Sequence, residues 1–153
     1  MLNRLLIALD QRKSRRAQLE FAARLGGETG AGVCVLHVLE FAGRGCAAPL
    51  ETRVEASPVV EEAVFVLRMA GVGASGLVRT TLRRDVASLI VEESERWSAD
   101  AVLVGAPHRR GVGRLLSHGV RDQVIRRSSR PVLVAPACAL VVMAHAMVEG
   151  VPD

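Results

Sequence analysis

GAPHRRGVGRLLSHGVRDQVIRRSSRPVLVAP, residues 105–136, decides the fold class. The apolar run over residues 100–104 predicts a strand that ends at Gly105. A basic, glycine-bearing loop follows. Leu116, Val120 and Val124 then recur at helical spacing. Residues 130–135 predict a closing strand. Strand, loop, helix and strand in this order can cradle a phosphate, because the free N–H groups at a helix start face the anion. Two positions where such a loop favours glycine hold His108 and His118.

The same alternation extends toward the N-terminus. Residues 4–9 predict a first strand ending at Asp10. Ser14 is placed to cap a helix running to about Leu25, with Ala17, Phe21, Ala22 and Leu25 on its inner face and Gly26 and Gly27 as its stop. Residues 32–39, GVCVLHVL, predict a second buried strand, and residues 41–56 a long loop. Ser57 and Pro58 predict a helix start with the proline at its first position. Val60, Ala63, Val64 and Leu67 form its inner stripe, and Gly71 is its stop. Residues 76–82 predict a third strand. Residues 85–97 predict a helix with Val86, Leu89, Ile90 and Trp97 inward, and Glu92, Glu93 and Glu95 on a solvated face. Strand–helix alternation with short links predicts a parallel sheet covered by helices on both faces. Ligands of such sheets sit outside the carboxyl ends of the strands, near the switch in strand order. Asp10, Leu39, Glu40 and Gly105 all fall at such ends.

Composition narrows the classes. The 153 residues suffice for one domain with its own core. Half of them are hydrophobic but only 3% are aromatic, so the core is aliphatic, which suits buried parallel strands. The net charge is +4, and Lys13 is the only lysine among the 20 basic residues. Arginine binds phosphate or carboxylate through a planar fork. No aromatics interleave the basic cluster, so a nucleic-acid reader is not expected. Cys34, Cys46 and Cys138 are odd in number and lack a CxxC spacing. That pattern argues against a disulfide framework or zinc site and fits a reducing cytoplasm. The N-terminal apolar run is too short for a signal peptide, and residues 137–148, interrupted by His145, fall short of a membrane span.

Arg109, Arg110, Arg114, Arg121, Arg126, Arg127 and Arg130 are opposed within their own span by Asp122 alone. They read either as solvated helix-surface charges or as an anion clamp. In the clamp, Arg109, Arg110 and Arg114 join the helix-start N–H groups around a phosphate. His108 and His118 add charge when protonated, tying binding to pH near ~6.5. No cysteine or carboxylate nearby completes a metal set with these histidines, so no metal is expected. His37 reads as a packed histidine. Asp10 reads either as a pocket carboxylate or as a turn carboxylate bonded to backbone N–H groups. No nucleophile sits beside a base at a recognisable spacing, so catalysis is not expected.

Residues 2–136 resemble the universal stress protein family. LLIALDQRKSRRAQLEFAARLG is similar to that family's first strand, aspartate and helix. RDVASLIVEESERWSADAVLVGAPHRRG resembles the helix and strand that lead into its glycine motif, and PVLVAP resembles its closing strand. The resemblance implies a three-layer α/β sandwich with a five-stranded, mostly parallel sheet, Rossmann-like and of the adenine-nucleotide alpha-hydrolase type. It implies a cytoplasmic regulatory or stress-response domain over residues 1–136, with ATP, AMP or another anion at the 105–120 loop. It also implies a homodimer paired through the last strand, residues 131–136, whose interface the apolar tail 137–153 would extend. A separate protein partner is left open.

The nucleotide-binding branch of the family carries glycine, two residues, glycine, nine residues, then glycine and a serine or threonine. Gly105 fills the first position, His108 the second, His118 the third and Gly119 the hydroxyl position. Asp10 keeps the family's aspartate, which would contact the base or ribose, while Ala8 replaces its earlier proline. Val38 or Leu39 would offer backbone contacts to adenine. Arg109, Arg110, Arg114 and Val120 would complete the phosphate side. Glycine lets a phosphate approach the backbone closely. A histidine fills that space with a side chain, and Gly119 lacks the hydroxyl donor. Two rivals follow: an interaction module whose pocket is closed by the histidines, and a nucleotide-activating enzyme of a related α/β family.

Overall fold

Apolar runs bounded by glycine or charge become the strands β1 (Arg4–Ala8), β2 (Gly32–Phe41), β3 (Ala74–Leu82), β4 (Ala101–Val104) and β5 (Val132–Val134). Between them lie α1 (Arg15–Thr29), α2 (Arg53–Met69), α3 (Val86–Arg96) and α4 (Arg114–Arg127). A short 3-10 turn, Arg83–Asp85, leads into α3. The computed structural model describes residues 1–9, 14–41, 52–106 and 114–136, and only the backbone of residues 114–118. The sheet order is β3-β2-β1-β4-β5, and every pairing is parallel. The chain therefore winds outward from β1 through β2 to β3, then crosses back to β4 beside β1.

Helices cover both faces, as the alternation predicts. On one face Leu5, Ile7, Val33, Val35 and Leu103 pack under Leu19 and Ala22 of α1 and Val60, Ala63 and Leu67 of α2. On the other, Leu6, Cys34, Leu36, Val102 and Val104 meet Val86, Ala87 and Ile90 of α3 and Val124 of α4. Leu5, Leu6 and Ile7 are fully buried, so β1 is apolar on both sides. His37 is buried, consistent with a packed histidine.

Three local expectations are corrected. Gly26 and Gly27 do not stop α1, which runs on to Thr29 and ends at Gly30 in the left-handed region (φ 73°). The Gly30 N–H bonds the Gly26 carbonyl at 2.8 Å. Gly26 serves close packing instead, since a Cβ there would lie 2.8 Å from Val72 Cγ1. Helix α2 starts at Arg53, ahead of Ser57, because Thr52 and Glu55 form a capping box. The Glu55 N–H bonds Thr52 Oγ1 at 3.3 Å, and the Thr52 N–H bonds Glu55 Oε2 at 2.8 Å. Pro58 thus lies inside the helix, where it removes the N–H that would reach the carbonyl of exposed Val54. Glu93, expected on a solvated face, is buried and accepts from Arg79 Nε (2.9 Å) and Arg96 Nη1 (2.5 Å).

The stop at Gly71 is as expected. Gly71, at φ 80°, donates to the Arg68 carbonyl, and Val72 donates to that of Leu67, with both Val72 and Leu67 buried. These two bonds make a Schellman ending. Arg68 then reaches the free edge of β3, where its Nε and Nη2 donate to the Ala74 carbonyl at 3.0 and 2.8 Å. Arg53 Nη2 donates to the Val78 carbonyl at 3.3 Å. Charged side chains along an edge hinder pairing with another strand.

Candidate anion site at the switch in strand order

Strand order reverses between β1 and β4, and in sheets of this kind the ligand crevice lies outside the carboxyl ends of the strands at such a switch. Ile7 pairs with Leu103, which sets Ala8 beside Val104 and Leu9 beside Gly105. The Leu9 N–H bonds the Leu36 carbonyl at 2.8 Å, so β1 holds to β2 one residue past its end. The Ala135 N–H bonds the Val104 carbonyl at 2.9 Å, fixing β5 on the other side. Gly105 is half-buried and Ala106 buried at this rim.

Gln18 of α1, fully buried, reaches beneath the rim. Its Nε2 donates to the Ala8 carbonyl at 2.7 Å and lies 3.5 Å from that of Leu103. One amide thereby ties together the two strands that flank the switch. The sequence reading missed this residue. Its signal was a polar side chain one turn before Ala22, on the buried face of α1.

Strands β4 and β5 are parallel, so α4 between them runs the opposite way and starts on the carboxyl side of the sheet. Its free N–H groups thus begin on the side of the strands' carboxyl ends. Val120 and Val124 dock α4 on the second core cluster. Gly119 sits within α4, half-buried, and an added Cβ would meet nothing within 4 Å. Val38 of β2 is half-buried and packs on the same cluster. Leu39 is buried. Glu40, near the end of β2, has its Oε2 3.8 Å from Arg83 Nε. Burial pushes the Glu40 carboxyl above the usual carboxylate range, and Arg83 opposes that shift.

Asp10, His108, Arg109 and Arg110 lie outside the described residues, as do the side chains of Arg114 and His118. The structure therefore sets Gly105 beside the end of β1 and starts α4 on the same side of the sheet, while Val38 and Val120 pack on the second core cluster. The rest of the arginine cluster divides. Arg121 pairs with Asp122 (3.2 Å), and Arg126 Nε donates to the Asp122 carbonyl (3.2 Å). Arg127 Nη1 donates to Ser88 Oγ on α3 (2.5 Å). Arg126 and Arg127 are exposed on the helix surface, whereas Arg121 is half-buried. Among the described residues no group of His, Cys, Asp and Glu is arranged to hold a metal. No described helix is long and apolar enough to cross a membrane.

The family model described as the universal stress protein family matches residues 1–136. A universal stress protein structure from Archaeoglobus fulgidus is 25% identical, with a TM-score of 0.69, covering 89% of this chain and all of its own. A universal stress protein from the same organism in complex with dAMP is 21% identical, with a TM-score of 0.66, over 89% of this chain and 98% of that one. A universal stress protein in complex with cAMP is 18% identical, with a TM-score of 0.68, over 90% and 99%. No curated protein matches the sequence. The sheet order, the likeness to solved structures of the family and the match over residues 1–136 agree: the chain belongs to the universal stress protein family.

Proposed function

We propose that this chain is a cytoplasmic regulatory or stress-response domain that binds an adenine nucleotide, AMP or ATP, or another phosphate-bearing anion, without classical catalysis. The observation that carries the reading is the β1/β4 switch, with Gly105 just past the end of β4 and the α4 N–H groups beginning on the same side of the sheet. Relatives of the same fold bind dAMP and cAMP, which supports an adenine nucleotide as the ligand class. In this reading Asp10 faces the base or ribose and the Val38 backbone lies beside the adenine. Gly105, His108, Arg109, Arg110, Arg114, His118, Gly119 and Val120 surround the phosphate. Protonated histidines attract that phosphate, so affinity rises as pH falls through about 6.5.

Thermal melts with AMP, ADP and ATP test this. Ligand at a hundred times Kd stabilises the fold by about 2.7 kcal/mol, a readable rise in Tm. No rise with any of the three rejects nucleotide binding. His108→Gly with His118→Gly then separates the two roles of the histidines. Higher affinity in the double variant means that they crowd the phosphate, as in the interaction-module reading, and lower affinity means that they bind it. The same reading includes a homodimer through residues 131–136.

A further inference from the structure

The ladder between β1 and β4 stops one rung short of the candidate site. Its last pair is Ile7 with Leu103, whereas β1 stays paired with β2 through Ala8 and Leu36. Val102 and Val104 turn their polar groups to β5: the Val102 N–H bonds the Pro131 carbonyl, and the Val104 carbonyl accepts the Ala135 N–H. These groups alternate along a paired strand, so Leu103 and Gly105 turn theirs to β1. With Leu9 beside Gly105, the next rung of a parallel ladder runs from the Gly105 N–H to the Ala8 carbonyl. That rung is not made, and the Gly105 N–H has no partner among the described residues.

Gln18 takes the Ala8 carbonyl instead. Its Nε2 donates there at 2.7 Å and lies 3.5 Å from the Leu103 carbonyl, so the amide stands where the two strands part. Gln18 is fully buried, and its neighbours on the same helix, Ala17, Leu19 and Ala22, are buried and apolar. An amide in such surroundings is unfavourable unless it is bonded. An apolar side chain would suit this face of α1 and leave the Ala8 carbonyl to the Gly105 N–H. A half-buried backbone N–H without a partner is itself unfavourable, and an anionic oxygen satisfies it by a charge-assisted bond.

We infer that Gln18 is a positioning residue: its amide takes the Ala8 carbonyl and keeps the Gly105 N–H out of the ladder, free to donate to a phosphate oxygen outside the ends of β1 and β4. The ligand in this inference rests on the anion site proposed above. The geometry does not.

Amide exchange of the full chain, read at Gly105 by NMR, tests the geometry without any ligand. The Gly105 amide is expected to exchange as fast as loop amides do. Gln18→Met keeps the length of the side chain but cannot donate. It is expected to slow that exchange about tenfold, as the Gly105 N–H joins the Ala8 carbonyl. A Gly105 amide already protected in the wild type overturns the inference, and that result requires no variant to fold. An exchange rate that Gln18→Met leaves unchanged overturns it too, with the amides of β2 reporting that the variant is folded. Titration with AMP reads the consequence for binding. The Gly105 cross-peak is expected to shift in the wild type, and Gln18→Met to raise Kd about tenfold. Equal Kd values in the two proteins overturn the role of Gln18 and leave the nucleotide reading standing. A wild type that binds none of AMP, ATP and inorganic phosphate rejects the proposed ligand, and the exchange rates then decide alone whether Gln18 holds the N–H out of the ladder.

Discussion

Glu93 and Gln18 are polar residues that the core uses. The Glu93 carboxylate is 1% exposed and accepts two arginines on Oε1, one from β3 and one from its own helix. Burying a carboxylate is unfavourable unless charged donors satisfy it. Arg79 and Arg96 keep contact with solvent, so they can rehydrate when the carboxylate is removed. Glu93→Ala is expected to destabilise the protein by about 1.5–3 kcal/mol, the range for hydrogen bonds to charged groups. Glu92→Ala and Glu95→Ala, at exposed positions on the same helix, should stay within about 0.5 kcal/mol. Urea denaturation of the three variants measures the contrast, and equal effects would remove the special role of Glu93. Three glutamates within four positions look alike in sequence. Only the approach of Arg79 from β3, a neighbour distant in the chain, distinguishes the middle one.

Helix α2 shows how local chemistry sets an element. The Thr52 N–H and hydroxyl hold the Glu55 carboxyl below the usual carboxylate range. A depressed pKa means that the unfolded chain binds the proton more tightly than the folded one. Glu55 therefore adds stability above its unfolded value, about 4.3, and that stability is lost as pH falls through the lower folded value. Glu55→Gln should lower stability at pH 6 and lose most of that deficit at pH 3. Urea melts at the two pH values measure it, and a deficit independent of pH would exclude the capping box as its source. The order of strands and helices was legible from periodicity, because every element has an apolar stripe. Boundaries were less so. Ser57 and Pro58 imitate a helix start, yet the Thr52 and Glu55 pair is the stronger signal. Gly26 and Gly27 imitate a stop, yet Gly26 is there to admit Val72. At the candidate site, Gly105 could be read from spacing as the end of a strand, while the β1/β4 switch depends on strand pairings between distant residues. The burial of Gln18 was legible from its spacing to Ala22, but its partners, carbonyls of two other strands, were not.

The two edges of the sheet differ, and the difference bears on how copies assemble. At the β3 edge, Arg53 and Arg68 occupy the carbonyls of Val78 and Ala74. At the other edge, β5 bonds β4 through the Pro131 carbonyl and the Ala135 N–H. Alternation along a strand then turns the N–H and C=O of Val132 and Val134 outward. The Val134 side chain is 43% exposed. A second β5 can pair with that edge, giving the homodimer expected from the family resemblance. Val134→Pro removes one outward N–H and leaves the bonds to β4 in place, since proline is tolerated where an edge N–H faces solvent. The variant is therefore expected to fold with a Tm close to that of its own monomer and to dissociate at concentrations where the wild type is dimeric. Truncation after Pro136 tests whether the tail contributes, with a weaker dimer expected. A Val134→Pro protein that still dimerises at those concentrations would exclude β5 as the pairing edge.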